Sequence, residues 1–405
     1  MISVVNKKRK LIIYAINLIG LVLYPFFFVL RNKWRNARKE LLRKLQNNEI
    51  GTIGINCTDR LGDILFLTPV LKALRKSYPS VKLTVFTNKT GQEIFKSNPA
   101  VDEIIVVDNF WSNKSLVNIR EFVRSFNASY FKTIREIRRK KLDVILEVKG
   151  DFRNIVLFDI FLGAQYLVGY ALSGFGWMLD WELEYQSGMH EIDAKLRIAE
   201  LLGAKATDRG MELFLSPDDE RFADEFLCVH KIGHNDMIAV FHVGGTWEPR
   251  LWPVQNFIEI EKKLKQKYGA KIILIGDKRD EEKNERFQHA VPEAVRLNKA
   301  TITQSAAVIK KADIYLGNDS GPLHLARCVK TPLVGIFGPE DLWRVGPEHD
   351  GIALQHKFAC QPCGQVSCPY DPNCVQSVTV EEVWQAIDLL LRRNNRGERR
   401  KMASE

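Results

Sequence analysis

Short apolar runs alternate with longer amphipathic stretches twice along residues 50–391 of this 405-residue chain. A short, nearly continuous apolar run predicts a strand that is buried on both faces, and an amphipathic stretch predicts a helix covering the sheet. The predicted strands are Thr52–Asn56, Lys82–Thr87, Glu103–Val107, Val144–Val148, Tyr166–Tyr170, Ile238–His242, Lys271–Ile275, Ile314–Leu316 and Leu333–Phe337. The predicted helices include 64–77, 91–97, 115–141, 152–162, 254–268 and 380–391. This repeated pattern predicts an α/β protein of two Rossmann-like lobes, with a central cleft at the carboxyl ends of their strands.

A polar, proline-containing stretch near residue 216 separates the two halves of the pattern. We therefore predict a first lobe over residues 50–216 and a second lobe over 217–391. The remaining ends are predicted to be a membrane-association segment over 1–49 and a basic tail over 392–405.

The formal net charge of +10 is concentrated at the two ends of the chain. Residues 1–50 hold 11 basic and 2 acidic residues, and residues 392–405 hold 6 and 2. The intervening 51–391 has 42 basic and 45 acidic residues, so the folded body is slightly acidic. A nucleic-acid binder normally carries its basic excess on its folded reading surface, so this distribution argues against that class.

Twenty uncharged, mostly apolar residues run from Leu11 to Leu30 between two strongly basic flanks. A helix of that length spans about 30 Å, enough to cross a bilayer once, but basic flanks on both sides oppose a single crossing. Pro25 disfavours a straight helix. We expect a re-entrant, interfacial or single-span segment at the cytoplasmic face of the inner membrane, followed by a basic amphipathic helix over 31–48 on anionic headgroups. A cleaved signal fits poorly, and a buried core helix is the remaining alternative.

The first candidate for chemistry is Asp63, which lies where the first strand passes through a turn into a helix. Gly62 permits a tight turn, and a carboxylate at this edge could act as a general base toward a hydroxyl. The equally simple interpretation is that Asp63 caps the helix. Arg60 lies in the same turn.

Two loops in the second half have the composition of anion sites. Gly244, Gly245 and Thr246 follow a strand and offer backbone amides, and Arg250 adds a positive charge suited to a diphosphate. An ordinary turn with a solvated arginine is the alternative.

The second loop, Gly317–His324, also joins a strand to a helix. Amides of Ser320 and Gly321 would face a phosphate at the helix N-terminus, and Asp319 could hold a sugar hydroxyl. The spacing does not match a nucleophile elbow, and His324 is more typical of a structural residue than of a base. The chain also lacks the glycine motifs of dinucleotide binding and of NTP hydrolysis.

Three segments together resemble the heptosyltransferase-type glycosyltransferases of glycosyltransferase family 9. They are LGDILFLTPVLKALRKSYP, HVGGTWEPRLWP and the long block that contains GNDSGPLHLA, and the resemblance covers roughly residues 51–391. It implies a GT-B fold and an inverting, metal-independent transfer of a sugar from a nucleotide diphosphate donor. In the best-known members the donor is ADP-heptose and the acceptor is the inner core of lipopolysaccharide.

The same resemblance implies roles for individual residues. Asp63 corresponds to the proposed catalytic base, with Arg60 and Gly62 beside it on the acceptor side. The donor-binding positions are Gly244, Gly245, Thr246, Arg250, Asp319, Ser320, Gly321 and His324, although the family usually has lysine where this chain has Arg250. The implied partners are a nucleotide-diphosphate sugar, a lipid-linked saccharide and an anionic membrane surface, with no cofactor required for catalysis. A non-catalytic sugar-nucleotide-binding or scaffold protein and a sugar-nucleotide epimerase are the alternative functions.

Four of the seven cysteines are clustered as Cys360, Cys363, Cys368 and Cys374. This spacing suits a small structural zinc or iron–sulfur site, and disulfides or plain thiols remain open. A second unassigned feature is the basic stretch Lys132–Lys141, which either attracts an anionic acceptor or headgroups or is simply a solvated helix face.

Overall fold

The computed structural model describes residues 37–107, 127–245, 247–348, 351–363 and 367–393. The chain divides into two compact units, residues 1–210 and 211–405. This division falls six residues before the boundary that the sequence predicts at 216. Each unit is built on one six-stranded sheet in which every pairing is parallel, in agreement with the predicted Rossmann-like pattern.

The first sheet has the strand order β3-β2-β1-β4-β5-β6. Its strands are β1 Thr52–Cys57, β2 Lys82–Thr87, β3 Glu103–Val106, β4 Val144–Glu147, β5 Tyr166–Tyr170 and β6 Trp181–Leu183. The helices of this unit are α1 Ala37–Gln46, α2 Leu61–Leu65, α3 Thr68–Ser77, α4 Lys89–Phe95, α5 Ala128–Arg139, α6 Phe152–Leu157 and α7 Glu191–Leu201. The central strands β1 and β4 are almost wholly buried because helices cover both faces of a parallel sheet.

The apolar side of α1 packs against the first unit. Leu41 and Leu45 are 1% and 4% exposed. The guanidinium carbon of Arg38 lies 4.4 Å from the centre of the Trp181 ring. The sequence predicts a helix lying on lipid headgroups here, but the apolar face of α1 is buried against protein and only its basic face is left to solvent.

The second sheet has the order β12-β11-β10-β7-β8-β9. Its strands are β7 Ile238–His242, β8 Lys271–Leu274, β9 Val295–Arg296, β10 Ile314–Asn318, β11 Leu333–Ile336 and β12 Ile352–Leu354. The helices are α8 Pro217–Val229, α9 Val254–Tyr268, α10 Glu281–Ala290, α11 Ile302–Lys311, α12 Gly321–Cys328, α13 Leu342–Val345 and α14 Val380–Arg393. A core that includes Phe241, Trp252 and Phe257 lies between this sheet and its helices.

The three strands that the sequence did not predict, β6, β9 and β12, all lie at sheet edges. They have two or three residues each and are only partly buried, so they lack the apolar run that marks a central strand. The predicted helix over 64–77 is interrupted. It forms α2 and then α3, and Pro69 lies in the first turn of α3, where its missing amide hydrogen is tolerated.

No helix in the described ranges combines the length and apolarity needed for a membrane crossing. The predicted membrane segment Leu11–Leu30 lies outside the described residues, as does most of the basic tail.

Candidate functional site

The glycine loop after β7 is shaped by Asp280, a residue from the turn that leads into α10. The Asp280 Oδ1 atom accepts a 2.9 Å hydrogen bond from the Gly245 amide, and Oδ2 accepts a 3.0 Å bond from the Asp277 amide. Gly245 has φ +151°, which L side chains rarely adopt, and a Cβ on Gly244 would lie 2.0 Å from Asp280 Oδ1. Both glycines are therefore required by the backbone, one for its conformation and one for the close approach of the carboxylate.

Replacing Gly244 by alanine should consequently disturb this loop. We expect a loss of about 1–3 kcal/mol in the free energy of unfolding, since the new methyl group overlaps a buried carboxylate. We also expect weaker binding of a diphosphate-containing ligand. Chemical denaturation and ligand titration measure the two effects. Gly233→Ala is the matched control, because its Cβ would make only an ordinary 3.8 Å contact. Equal behaviour of the two variants would contradict the assigned role of Gly244.

His242 connects Asp280 to the second loop. Its Nε2 atom lies 3.3 Å from Asp280 Oδ2, and its Nδ1 atom lies 3.0 Å from Ser320 Oγ. Burial opposes ionisation of Asp280, but the hydrogen bond and charge of His242 and the two backbone donors prevail and lower its pKa to about 2. Asp280 is thus an anion at neutral pH, and it organises both the glycine loop and the side chain beside Ser320.

Asn318, the last residue of β10, joins the same two loops. Its side chain is fully buried, and Oδ1 accepts a 2.9 Å bond from the Trp252 amide. Its Nδ2 atom donates to the carbonyl oxygens of Val243 and Gly244 at 3.3 and 3.0 Å. Because β7 and β10 are neighbours in the sheet, both loops lie at one carboxyl edge. The sequence predicted the two loops separately, and the structure places them side by side.

Arg250 lies at this edge among acidic and aromatic neighbours. Its Nη1 atom is 3.5 Å from Asp319 Oδ2, and Nη2 forms a close ion pair with Glu340. The guanidinium carbon is also 4.7 Å from the centre of the Trp247 ring. Burial raises the pKa of Asp319, and the charge of Arg250 acts in the opposite direction. The Arg250 charge is therefore held in place at the loop rather than extended into solvent.

The other predicted donor residues belong to the start of α12. Ser320 is the N-cap residue, Gly321 is the first residue of the helix, and His324 is buried one turn in. The partial positive charge of a helix N-terminus and its unpaired amides favour a phosphate group at this position. Thr246 lies outside the described residues.

Asp63 is the third residue of the short helix α2 at the carboxyl edge of the first sheet. The helix begins at Leu61, with Arg60 as its N-cap residue, so Asp63 does not occupy the capping position. The side chain is partly exposed, Arg60 is exposed, and Gly62 is partly exposed. A half-buried carboxylate at this edge remains accessible to a substrate hydroxyl.

Two lysines beside the carboxyl end of β4 were not predicted from the sequence. Lys195 on α7 is 3% exposed, and its Nζ atom lies 3.5 Å from the carbonyl oxygen of Val148. Burial opposes its charge, but the negative charges of Glu191 and Asp63 raise the pKa of Lys195. The buried ammonium group of Lys195 therefore interacts electrostatically with Asp63.

The second lysine is Lys149, which follows β4 and forms an ion pair with the buried Asp59. Burial lowers the pKa of Lys149 to about 8, the nearby Lys195 charge acts in the same direction, and Asp151 opposes it. The loop that carries Lys149 is held by Glu147, whose Oε1 atom accepts 2.8 Å bonds from the amides of Lys149 and Gly150. These contacts place a positively charged group beside Asp59, four residues before the candidate base in the sequence.

The four clustered cysteines are free thiols, and Cys374 is buried while the other three are partly exposed. Burial raises the pKa of the Cys374 thiol, and Cys363, Cys368 and Cys360 act in the same direction, so the four lie near one another. Among the described residues, no group of three or more His, Cys, Asp or Glu side chains is arranged to hold a metal ion. The structural zinc site therefore stays a prediction.

Sequence reasoning missed the side chains that support both sites: Asp59, Lys149, Lys195, His242, Asp280 and Asn318. Three of them, Lys149, Lys195 and Asp280, lie outside the quoted motifs and reach the site from another part of the fold, whereas Asp59 lies in the same turn as Arg60. A signal existed for two of them, because His242 and Asn318 end buried strands next to the loops.

Known proteins share both the sequence pattern and the fold of this chain. Residues 130–373, more than half of the chain, match the sequence profile of glycosyltransferase family 9 (heptosyltransferase). Lipooligosaccharide heptosyltransferase 2 of Campylobacter jejuni subsp. jejuni is 28% identical over 345 residues, which cover 83% of this chain and 97% of that protein.

Two solved structures share the fold. The glycosyl transferase family 9 protein from Veillonella parvula has a TM-score of 0.70 at 21% identity, covering 85% of this chain and 97% of its own. The E. coli heptosyltransferase WaaC with ADP has a TM-score of 0.64 at 19% identity, covering 84% and 99%. The profile match, together with two parallel sheets that carry the family's motifs at their carboxyl edges, shows that this chain is a glycosyltransferase and belongs to glycosyltransferase family 9.

Proposed function

We propose that this chain is a GT-B enzyme that transfers heptose from ADP-heptose to a lipid-linked glycan such as the core of lipopolysaccharide, with inversion at the anomeric carbon. The single observation that supports this most is the carboxyl edge of the second sheet. There the glycine loop after β7, Arg250 and the N-terminus of α12 lie together. A fixed guanidinium and a helix N-terminus are groups that bind a diphosphate, whereas the Gly245 amide already donates to Asp280 Oδ1 and shapes the loop instead.

In the proposed reaction, the second unit holds the donor and the first unit holds the acceptor. The acceptor oxygen attacks the anomeric carbon, and its proton passes to a carboxylate oxygen of Asp63. The bond between the anomeric carbon and the diphosphate oxygen breaks, and the nucleoside diphosphate leaves with the electron pair. A single displacement of this kind inverts the anomeric centre. Arg250 and the helix N-terminus stabilise the negative charge that develops on the leaving group.

This arrangement predicts that transfer does not depend on a divalent ion. Arg250 and the N-terminus of α12 supply the positive charge that a magnesium ion provides in other sugar transferases. We expect the initial rate in excess EDTA to remain within about twofold of the rate in magnesium, since Arg250 supplies the required charge in either buffer. Discontinuous assay of ADP release measures both rates. A rate that collapses in EDTA and recovers with magnesium would remove metal independence from the proposal.

The acceptor and the location are proposed together. The relatives compared above are named for action on lipooligosaccharide or for heptosyl transfer, and their names support a saccharide acceptor attached to lipid. The basic and apolar residues 1–49 support action at the cytoplasmic face of the inner membrane.

The deciding experiment is transfer by the purified full chain from a panel of nucleotide sugars to heptose-deficient lipopolysaccharide, followed by mass spectrometry of the product. The proposal expects a mass increase of one heptose with ADP-heptose and none with uridine- or guanosine-linked sugars. Binding of the donor without product would indicate a non-catalytic protein. Conversion of the donor without acceptor would indicate an epimerase.

A further inference from the structure

The turn that follows β11 carries its main-chain carbonyl groups past the end of the second sheet. It consists of Gly338, Pro339 and Glu340, of which the first two are buried. The neighbouring strand β12 ends at Leu354, whose carbonyl oxygen still accepts a 2.9 Å hydrogen bond from the Phe337 amide. Strand pairing stops at that point, so the carbonyl oxygens of the turn need donors from another part of the chain.

Two glutamine side chains supply these donors. Gln355 follows β12 directly, and its Nε2 atom donates 2.8 Å hydrogen bonds to the carbonyl oxygens of Gly338 and Glu340. Gln361 Nε2 donates a 2.7 Å bond to the same Gly338 oxygen. A glutamine amide carries two N–H donors, so Gln355 can hold both ends of the turn with one group. We call the side chains of Gln355 and Gln361 the glutamine clamp.

The glutamine clamp is itself held by its surroundings. Gln361 Oε1 accepts a 2.8 Å bond from the Phe358 amide, and Gln361 Nε2 also donates to the His356 carbonyl oxygen at 3.0 Å. The His356 Nε2 atom lies 2.8 Å from a carboxylate oxygen of Glu382 on α14. The segment that carries the clamp is therefore fixed both by its own hydrogen bonds and by a helix of the second unit.

The clamp also connects the cysteine cluster to this turn. Gln361 lies between Cys360 and Cys363 in the sequence. The Cys363 amide donates a 2.9 Å bond to the carbonyl oxygen of Pro339, so every residue of the turn accepts a hydrogen bond from this segment. The conformation of the first half of the cysteine cluster thus bears directly on the conformation of the turn.

The turn carries one partner of the ion pairs that fix Arg250. Glu340 forms a close pair with Arg250 Nη2, and Asp319 Oδ2 lies 3.5 Å from Nη1. One of the two carbonyl oxygens that Gln355 holds belongs to Glu340 itself. The position of the guanidinium at the carboxyl edge of the second sheet therefore depends on the position of the turn.

We propose that the glutamine clamp positions Arg250 for the diphosphate of the donor, acting through Glu340. Gln355 and Gln361 act through other residues, so they are positioning residues. Without them the buried carbonyl oxygens lose their donors, and the turn moves with Glu340 to regain hydrogen bonds. The Arg250 guanidinium then has no fixed partner, and the ligand must order it at a cost in affinity. The inference rests on the proposed binding of a diphosphate at Arg250.

The test is a double-mutant cycle between Gln355 and Arg250 in the full chain, measured as the Kd for ADP-heptose by isothermal titration. Gln355→Ala should weaken donor binding by about tenfold in the wild-type background, because two hydrogen bonds to the turn are lost. In the Arg250→Ala background the same substitution should change the Kd by less than about twofold, because the residue through which it acts is gone. Gln355→Glu keeps the shape of the side chain but removes both donors, and it should weaken binding at least as much as Gln355→Ala.

Gln288→Ala is the matched control and should leave the Kd unchanged. Gln288 Nε2 also donates to a main-chain oxygen of the second unit, that of Ala294 at 3.0 Å, but it lies about two helical turns beyond Asp280. Equal losses from Gln355→Ala in both backgrounds would indicate a general structural effect and overturn the proposal. An unchanged Kd in Gln355→Ala, beside a weakened Kd in Arg250→Ala, would overturn the proposal but not the diphosphate site. If the wild-type chain binds neither ADP-heptose nor ADP, the proposed function and this inference fail together.

Discussion

Asp63→Asn is expected to lower the kcat of sugar transfer by about 10²–10⁴-fold, because the amide cannot take the proton of the attacking hydroxyl. The Kd for ADP-heptose should stay nearly unchanged, since the groups assigned to the donor lie on the second unit. Single-turnover transfer and isothermal titration with the donor measure these two quantities. Asparagine has nearly the shape of aspartate, so the effect isolates the carboxylate.

A matched carboxylate in the same unit controls for general loss of charge. Asp208 is 57% exposed and pairs with Lys72 at 2.9 Å, and Asp208→Asn should leave kcat within about twofold of the wild type because surface ion pairs contribute little. Near-full turnover of Asp63→Asn would remove Asp63 from the mechanism. An equal loss in both variants would mean that the effect of Asp63→Asn is structural.

Arg250→Ala is expected to lower kcat/KM for the donor by about 10²–10³-fold. Two effects act together. The leaving diphosphate loses its fixed positive partner, and the carboxylates of Asp319 and Glu340 lose their counter-charge and repel the incoming donor. Steady-state kinetics at varied donor concentration would measure the loss.

The contribution of the partly exposed Glu340 carboxylate can be separated from that of the guanidinium. In the double variant Arg250→Ala with Glu340→Gln, one repelling charge is removed, and part of the donor affinity should return. Arg250→Lys should retain charge without the planar fork and give an intermediate rate. An Arg250→Ala enzyme with unchanged kinetics would place the diphosphate elsewhere.

Central elements of the fold were predictable because their signal is local. The buried strands β2, β5 and β7 have the bounds that their apolar runs predict. Edge strands such as β9 carry no comparable apolar run, since their residues are only partly buried. Such a strand is stabilised mainly by its pairing with the neighbouring strand, which the sequence does not display. The same limit applies to α1, whose basic amphipathic pattern is the same whether its apolar side contacts lipid or protein.

In the candidate site, too, the features with a local sequence signal were predicted and those without one were missed. Gly245 and Gly321 stand in recognisable motifs because a backbone turn or helix start needs particular residues at neighbouring positions. The partners of these motifs come from other parts of the chain. Asp280 lies 38 residues after His242 in the sequence, and yet its side chain contacts both His242 and the glycine loop. No rule of sequence spacing predicts that contact.

By itself, the sequence determined the fold class, the two-lobed repeat and the positions of the candidate phosphate-binding motifs, because hydrophobic periodicity and glycine turns are properties of short segments. Only the tertiary structure decided which charges surround Asp63 and Arg250, and which side of α1 is buried. Those outcomes depend on parallel strands that bring together residues distant in sequence. Lys195 is the clearest case, since α7 follows the first strand by more than a hundred residues and yet places an ammonium beside the turn that carries Asp63.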